Sequence, residues 1–339
     1  MKQITKNEFY KHYIALDWSR FNFAITSIRD SGIRYKVEEH PADVKILKSF
    51  LKQYPGKKIL TIEETTTAHW LYVELKDYVD KILICEPYHN SLLKTGAKND
   101  KLDAVKLCTL LRNGSLKEVF HTTDELYQLR KLVSIYEDYV DASVRMKNQR
   151  SSMFLSEGKD HKKEKVLSES TIKKFITEKQ YSTIEHIDQI RKEFEVLFRK
   201  IQNENKTVKQ LIKISGIASK LAVTILAVVI DANRFENKYK YYAYTGLVKH
   251  SKESGGKNYG KRNVRHSRIL KRCYKIAANA AICGHNDIRE YYEYLLQNNY
   301  NFHDARNQIA RYIAKLSYVV MKNKTEYRPY QWRESRKDL

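Results

Sequence analysis

Apolar residues in the first third of the chain recur with the periods of strands and helices in turn. Residues 13–16 form a short apolar run ending at Asp17, 21–28 alternate, and 33–37 follow a Ser31-Gly32 turn, so the pattern predicts a three-stranded meander. Val44, Leu47, Leu51 and Tyr54 stand at helical spacing, and Pro55-Gly56 stops the helix predicted over 41–54. Residues 58–62 read as a buried strand ending at Glu63, 68–79 as a helix, and 81–85 as a strand closed by Pro87. A last helix runs from Asp100 to the Asn113-Gly114 stop. Strands first and helix–strand alternation afterwards predict an α/β domain.

The pattern then lengthens. Leu126, Leu129, Val133, Tyr136 and Val140 step by three and four, and after a Lys-rich polar stretch (157–165) Ile187, Ile190, Phe194, Leu197 and Ile201 do the same. This seam breaks at Glu204 and resumes at Val208 and Leu211. Two such stripes predict either a helical hairpin within the chain or a coiled coil with another protomer. Residues 211–217, Leu-Ile-Lys-Ile-Ser-Gly-Ile, precede an apolar helix over 220–230, which is the form of a helix-hairpin-helix. The turn at Ser215-Gly216 would aim backbone N–H groups at a phosphate, with Lys220 beside it. Residues 232–265 read as loop-rich, and helices dominate from Ser267 to about Asn323.

Charge changes this picture. The net charge is +23, and it divides as +5 over 1–120, +2 over 121–200 and +16 over 201–339. A general lysine bias would not segregate in this way, so the C-terminal part is expected to meet a polyanion. The 25 tyrosines offer flat faces for stacking on bases, although most tyrosines simply pack. Cysteines 85, 108, 273 and 283 show no zinc spacing and read as core thiols of a reducing compartment. The longest apolar run, 221–230, is too short to span a bilayer, and no apolar stretch follows basic residues at the N-terminus. The chain is therefore expected to be soluble, cytoplasmic and free of membrane.

Four acids fall where such a fold would gather them. Asp17 and Glu63 end strands, at the usual open edge of an α/β sheet, while Asp100 and Asp103 share one face of a helix's first turn. Hard Mg²⁺ or Mn²⁺ ions need such oxygen ligands. Taken singly, Asp100 reads as a helix N-cap and Glu63-Glu64 as a solvated strand end.

The segments carrying these acids, Ala15-Leu16-Asp17-Trp18-Ser19-Arg20, Ile62-Glu63-Glu64-Thr65 and Lys98-Asn99-Asp100-Lys101-Leu102-Asp103-Ala104, resemble the three acidic motifs of the DEDD transposases. These form the insertion-sequence family numbered one hundred and ten, relatives of the Piv-type DNA invertases. The C-terminal half resembles the same family through Tyr244-Thr245-Gly246-Leu247, Glu253-Ser254-Gly255-Gly256-Lys257, Gly260-Lys261-Arg262 and Arg268-Ile269-Leu270-Lys271-Arg272.

The resemblance implies a ribonuclease-H/RuvC-like metal-binding nuclease domain over 1–120, a helical or coiled-coil region over 121–205, and a basic, mostly α-helical transposase domain over 206–339. It makes Ser254 the nucleophile. It implies Mg²⁺-dependent cutting and rejoining of donor and target double-stranded DNA through a phosphoserine, guided by a structured bridge RNA. The working form would be a homo-oligomer, dimer to tetramer, with the acidic domain of one protomer meeting the serine of another in a prokaryotic, nucleoid-associated enzyme. A free hydroxyl needs activation, and residues 251–280 hold nine Lys or Arg against the single acid Glu253. Lys257, Lys261, Arg262, Arg265, Arg268 and Arg272 are thus expected to face nucleic acid. Ser-Gly-Gly alone reads as a flexible loop; beside the acidic set it does not. The alternatives are a metal-dependent, RuvC-like junction nuclease cutting by hydrolysis and a nucleic-acid-binding protein with a dead site.

Overall fold

The computed structural model describes residues 9–87, 100–123, 125–164, 170–263 and 265–334, and the chain divides into two compact units, 1–123 and 124–339. In the first unit, β1 (His12–Trp18), β2 (Asn22–Arg29), β3 (Glu38–Pro41), β4 (Lys58–Glu63) and β5 (Lys81–Cys85) form a sheet of order β3-β2-β1-β4-β5. The β1–β2 and β2–β3 pairs are antiparallel, whereas β4 lies parallel to both β1 and β5. The third strand is displaced from its expected place at 33–37. Ile33 is exposed and only an isolated Ile28–Arg34 bridge forms there, so a polar stretch that hydrogen-bonds to β2 takes the position.

Alternation sorts the sheet into two faces. Ile14, Leu16, Leu60 and Ile62 pack against α1 (Val44–Lys52) and α2 (Ala68–Leu75) through Leu47, Leu51, Leu71 and Leu75. Ala15, Ile59 and Leu83 pack on the opposite face against Leu107, Cys108 and Leu111 of α3 (Asp100–Arg112). Asp43 caps α1, its carboxylate accepting from Lys45 N at 2.7 Å.

The second unit begins with a helical hairpin, α4 (Gln128–Leu155) and α5 (Thr171–Glu204). Tyr136 meets Phe194 and Phe198, Ser143 and Lys147 bond to Asp188, and the Arg150 guanidinium lies over Tyr181, so the helices run antiparallel. The seam differs from the expected one at a single step: Phe198 is fully buried and Leu197 is 40% exposed. A helix with 3.6 residues per turn drifts off a strict heptad over this length, and the larger ring takes the inner position.

α5 ends at Glu204, and the Asn205 side chain caps α6 (Lys206–Leu211) by accepting from Val208 N. α7 (Ser219–Val229) is buried nearly all round. It packs in one core with α9 (Arg268–Cys283), α10 (Asp287–Gln297), α11 (Phe302–Asn323) and the lower parts of α4 and α5. No helix among the described residues is long and apolar enough to cross a membrane.

The expected loop over 232–265 is instead a short helix and a β-hairpin. α8 (Lys238–Thr245), capped by Asn237, leads into β6 (Lys249–Ser254) and β7 (Lys257–Asn263), which pair antiparallel as a separate two-stranded ribbon. A four-residue α12 (Gln331–Glu334) closes the described chain.

Candidate functional site

Asp17 and Glu63 are brought together by strand register. Leu16 of β1 pairs with Ile62 of β4, so the next step along these parallel strands sets Asp17 level with Glu63. Both follow the parity of Ala15 and Thr61 and therefore emerge on the α3 face. Trp18 stacks on Phe23 with 5.4 Å between ring centroids and belongs to the other face, pinning the strand end that carries Asp17.

α3 runs antiparallel to β1 across this face. The Cys108 thiol donates to Tyr13 O at 3.0 Å, and Arg112 at the helix end donates to Asp30 O at 3.1 Å. The helix rises about 1.5 Å per residue, so five residues back from Cys108 cover ~8 Å and bring Asp103 toward the Asp17 end. Cβ atoms tilt toward a helix's N-terminus, which favours the same approach. Asp103 is half-buried, with Lys106 Nζ at 3.7 Å. Asp100 begins α3, but its side chain lies outside the described residues. Among the described residues no three His, Cys, Asp or Glu side chains form a ready-made metal cluster. The donors carried at this edge, Asp17, Glu63 and Asp103, are all carboxylates, a type that suits a hard divalent cation.

A second contact at this edge was not legible in the sequence. Glu64 emerges on the α2 face, where its carboxylate meets His121 Nε2 at 2.6 Å. His121 is buried and stacks on His69, and Glu64 N donates to Cys85 O. This pair ties the segment after α3 to the end of β4, next to Glu63. Its partners are 57 positions apart and carry no spacing signal.

Ser254 lies in the second unit, at the tip of the β6–β7 ribbon. Ser254 pairs with Lys257, and the two residues between them, Gly255 and Gly256, have φ of +56° and +74°. Two positive φ angles make this a type I′ turn, the one whose twist matches the ribbon and which two glycines adopt without strain. The register shifts between Ser251 and Glu253, opposite Gly260 at φ +92°, which places a bulge in β7.

Alternation through this register puts His250, Lys252, Ser254, Lys257, Tyr259 and Arg262 on one face of the ribbon. The Lys252 ammonium lies 5.9 Å from the Tyr259 ring centroid, in keeping with that assignment. The other face carries Lys249, Ser251, Glu253, Asn258 and Lys261. The serine therefore shares its face with three cations and the acid does not. All these side chains are exposed, and Lys252, Lys257 and Arg262 make no ion pair among the described residues.

The remaining expected contacts divide. Arg265 and Arg268 are exposed beside the ribbon's root, where Ser267 N donates to Tyr244 O. Arg272, by contrast, is held by Glu137 and by Asp141, 3.2 Å away, both on α4. Lys220 lies over the Tyr136 ring. In the turn between α6 and α7, the Ser215 hydroxyl faces Asp287 at 3.5 Å. Gly216, at φ +88°, abuts α9 so closely that a Cβ would lie 2.1 Å from Ala277 O. The Ser-Gly turn thus has a packing reason of its own.

Two family models match the chain. One, described as Transposase and built on DEDD enzymes of the IS110 type, covers residues 14–156, from β1 to the end of α4. The other, described as Transposase IS116/IS110/IS902 family, covers 208–293, from α6 through the ribbon to α10. No curated protein matches.

Proposed function

Because the chain belongs to the IS110 family of DEDD transposases, and so is a DNA-acting enzyme of insertion-sequence movement, we propose that it cuts and rejoins DNA strands by way of two centres. The first is the carboxylate set Asp17, Glu63, Asp100 and Asp103 on a RuvC-like domain. These residues would hold the divalent ion that DEDD domains use, here Mg²⁺ or Mn²⁺. When bound, such an ion stabilises charge on phosphate and leaving oxygens.

The second centre is Ser254. Its Oγ attacks the scissile phosphorus, an Oγ–P bond forms as the P–O bond to the departing strand end breaks, and the serine's proton is released while the departing oxygen takes one up. The phosphoserine ester keeps the bond energy of the diester. Attack by a new strand's hydroxyl reverses the step and frees the serine. The observation carrying this reading is the ribbon face on which Ser254 stands among Lys252, Lys257 and Arg262. These cations can clamp the equatorial oxygens of the transferring phosphoryl group.

Guidance is assigned to a structured bridge RNA and the working form to a homo-oligomer, dimer to tetramer, as the resemblance implies. The three-part division at 120 and 205 follows the same reading, with Lys257, Lys261, Arg262, Arg265 and Arg268 as nucleic-acid contacts and the Ser215-Gly216 turn with Lys220 as a phosphate site. Sequencing the RNA that co-purifies with the protein tests the guide.

A nicked suicide DNA substrate tests the serine. Wild-type protein and Ser251→Ala, which alters the opposite ribbon face, should be trapped on DNA in a denaturation-resistant adduct. Ser254→Ala should lose both adduct and strand exchange. Cutting by Ser254→Ala at the wild-type rate with no adduct in any variant would instead mark a hydrolytic junction nuclease.

A further inference from the structure

Aromatic residues and cations gather at a second place in the second unit, in a cleft of about 290 Å³ between α8, α10, α11 and α12. One wall is aromatic. Trp332 stacks on Tyr291 with ring centroids 5.3 Å apart and planes 20° from parallel, and Tyr239 meets Tyr242 edge to face. Trp332 is fixed from behind, its indole N–H donating to Asp287 O at 3.1 Å. Tyr239 is 66% exposed, leaving a ring available at the mouth.

The other wall is cationic. Arg311 and Lys315 stand one turn apart on α11, and among the described residues no acid lines the cleft and neither cation makes an ion pair. Burial, and then the nearby Lys238, lower the Lys315 pKa. A half-buried ammonium without a counter-charge gains from an incoming anion. Gln308, one turn before Arg311 on α11, adds a donor and an acceptor suited to the edge of a base.

We propose that this cleft binds one unstacked nucleotide of a nucleic-acid strand, its base against the Tyr239–Tyr242 and Tyr291–Trp332 rings and its phosphate on Arg311 and Lys315. Stacking platforms beside backbone cations are how single strands are held without reading sequence. A volume at the small end of the roughly 300–1,000 Å³ of ligand sites suits one nucleotide and excludes a duplex. Val248 lines the cleft and β6 begins at the next residue, so the extended strand sets Ser254 about 20 Å away. The cleft would thus hold a strand already opened near the ribbon, a role that rests on the DNA-acting reading above.

The test uses the full chain in EDTA, so that binding is read without cutting. Fluorescein-labelled oligo-dT and oligo-rU of about 12 nucleotides are compared with a duplex of equal length. Tyr239→Ala combined with Arg311→Ala should weaken single-strand binding about tenfold and duplex binding less than twofold. Tyr239→Phe should bind as wild type, because the ring and not the hydroxyl stacks. The tighter of the two single strands identifies the source as DNA or RNA, and either result supports the cleft. Unchanged single-strand affinity in the double variant, or an equal loss on duplex, overturns it. Failure of the serine proposal would appear in the adduct assay and leave these affinities untouched.

Discussion

The acidic edge of the first unit and the serine ribbon of the second present reactive oxygens in opposite ways. Asp17 and Glu63 sit at the ends of adjacent parallel strands whose preceding residues are buried on both faces. Ser254 sits on a two-stranded ribbon whose described side chains are all exposed and which contributes nothing to any hydrophobic core. Geometry at the first place is enforced by packing; at the second it is enforced only by turn chemistry and backbone pairing. An ion needs several oxygens held together before it arrives, which packing provides. A nucleophile that must reach a large, rigid polymer needs clearance, which a projecting ribbon provides.

The largest expected effect lies in the chemistry. Ser254→Ala should lower strand exchange by a factor on the order of 10⁴ or more, and Asp17→Asn should lower cleavage by at least about 10². Both proteins should retain the wild-type salt dependence of DNA binding. Full cleavage by Asp17→Asn would remove the carboxylates from the mechanism.

Stability should separate the two regions next. Ile14→Ala opens a cavity under the sheet and should cost about 2–5 kcal/mol, seen in the melting of the first unit. Gly255→Ala with Gly256→Ala strains the turn at the two positive φ angles, yet should barely move the melting curve. Among the described residues the ribbon joins no hydrophobic core, so that variant should lose adduct formation instead. A large loss of stability from the glycine changes would show that the ribbon is packed, and would break the contrast.

Legibility followed the same division. The strand ends carrying Asp17 and Glu63 could be read because buried strands write their faces in alternating apolar residues. The direction of α3 across the sheet could not, since it depends on contacts such as Cys108 with Tyr13. The β6–β7 ribbon looked like loop because it buries nothing and so has no apolar alternation; only the Gly255-Gly256 pair marked it. The third strand moved to 38–41 for a similar reason, being an edge strand of Glu, Glu, His and Pro. Arg272 looked like one more DNA-facing cation, yet its carboxylate partners Glu137 and Asp141 lie far back in the chain.

Binding can sharpen the comparison of the ribbon's own faces. Lys257→Ala with Arg262→Ala should reduce the slope of log affinity against log salt by about 2, one phosphate contact each. Lys261→Ala, a single contact on the face with Glu253, should change it by only about 1. Equal slopes would make the ribbon an undifferentiated basic surface.

A smaller effect concerns the α4–α5 hairpin. Burial alone would raise the Asp188 pKa, but Lys147, Ser143 and Arg191 outweigh it and hold the carboxyl below its ordinary value. A depressed folded-state pKa contributes stability above the unfolded value of about 3.9, and that contribution is lost as pH falls through the folded value. The hairpin should therefore loosen only below about pH 4, and Asp188→Asn should remove that part of the acid transition in a circular-dichroism titration. The smallest effect is on thiol reactivity. Burial pushes the Cys108 and Cys273 thiols up to about 12 and Cys85 is buried, whereas Cys283 is exposed, so an aromatic disulfide reagent should label Cys283 first in the native protein.

The two-residue turn also limits how this chain can vary. Residues opposite one another on a ribbon share a face, so adding a single residue between Glu253 and Ser254 inverts the serine's side. Such a change would turn Ser254 from the company of Lys252 and Arg262 to that of Glu253 and Lys261, with every residue type retained. Insertions of two would preserve its side and only lengthen its reach. Length variation at this tip should therefore come in even steps, and an odd step should inactivate as surely as removing the hydroxyl.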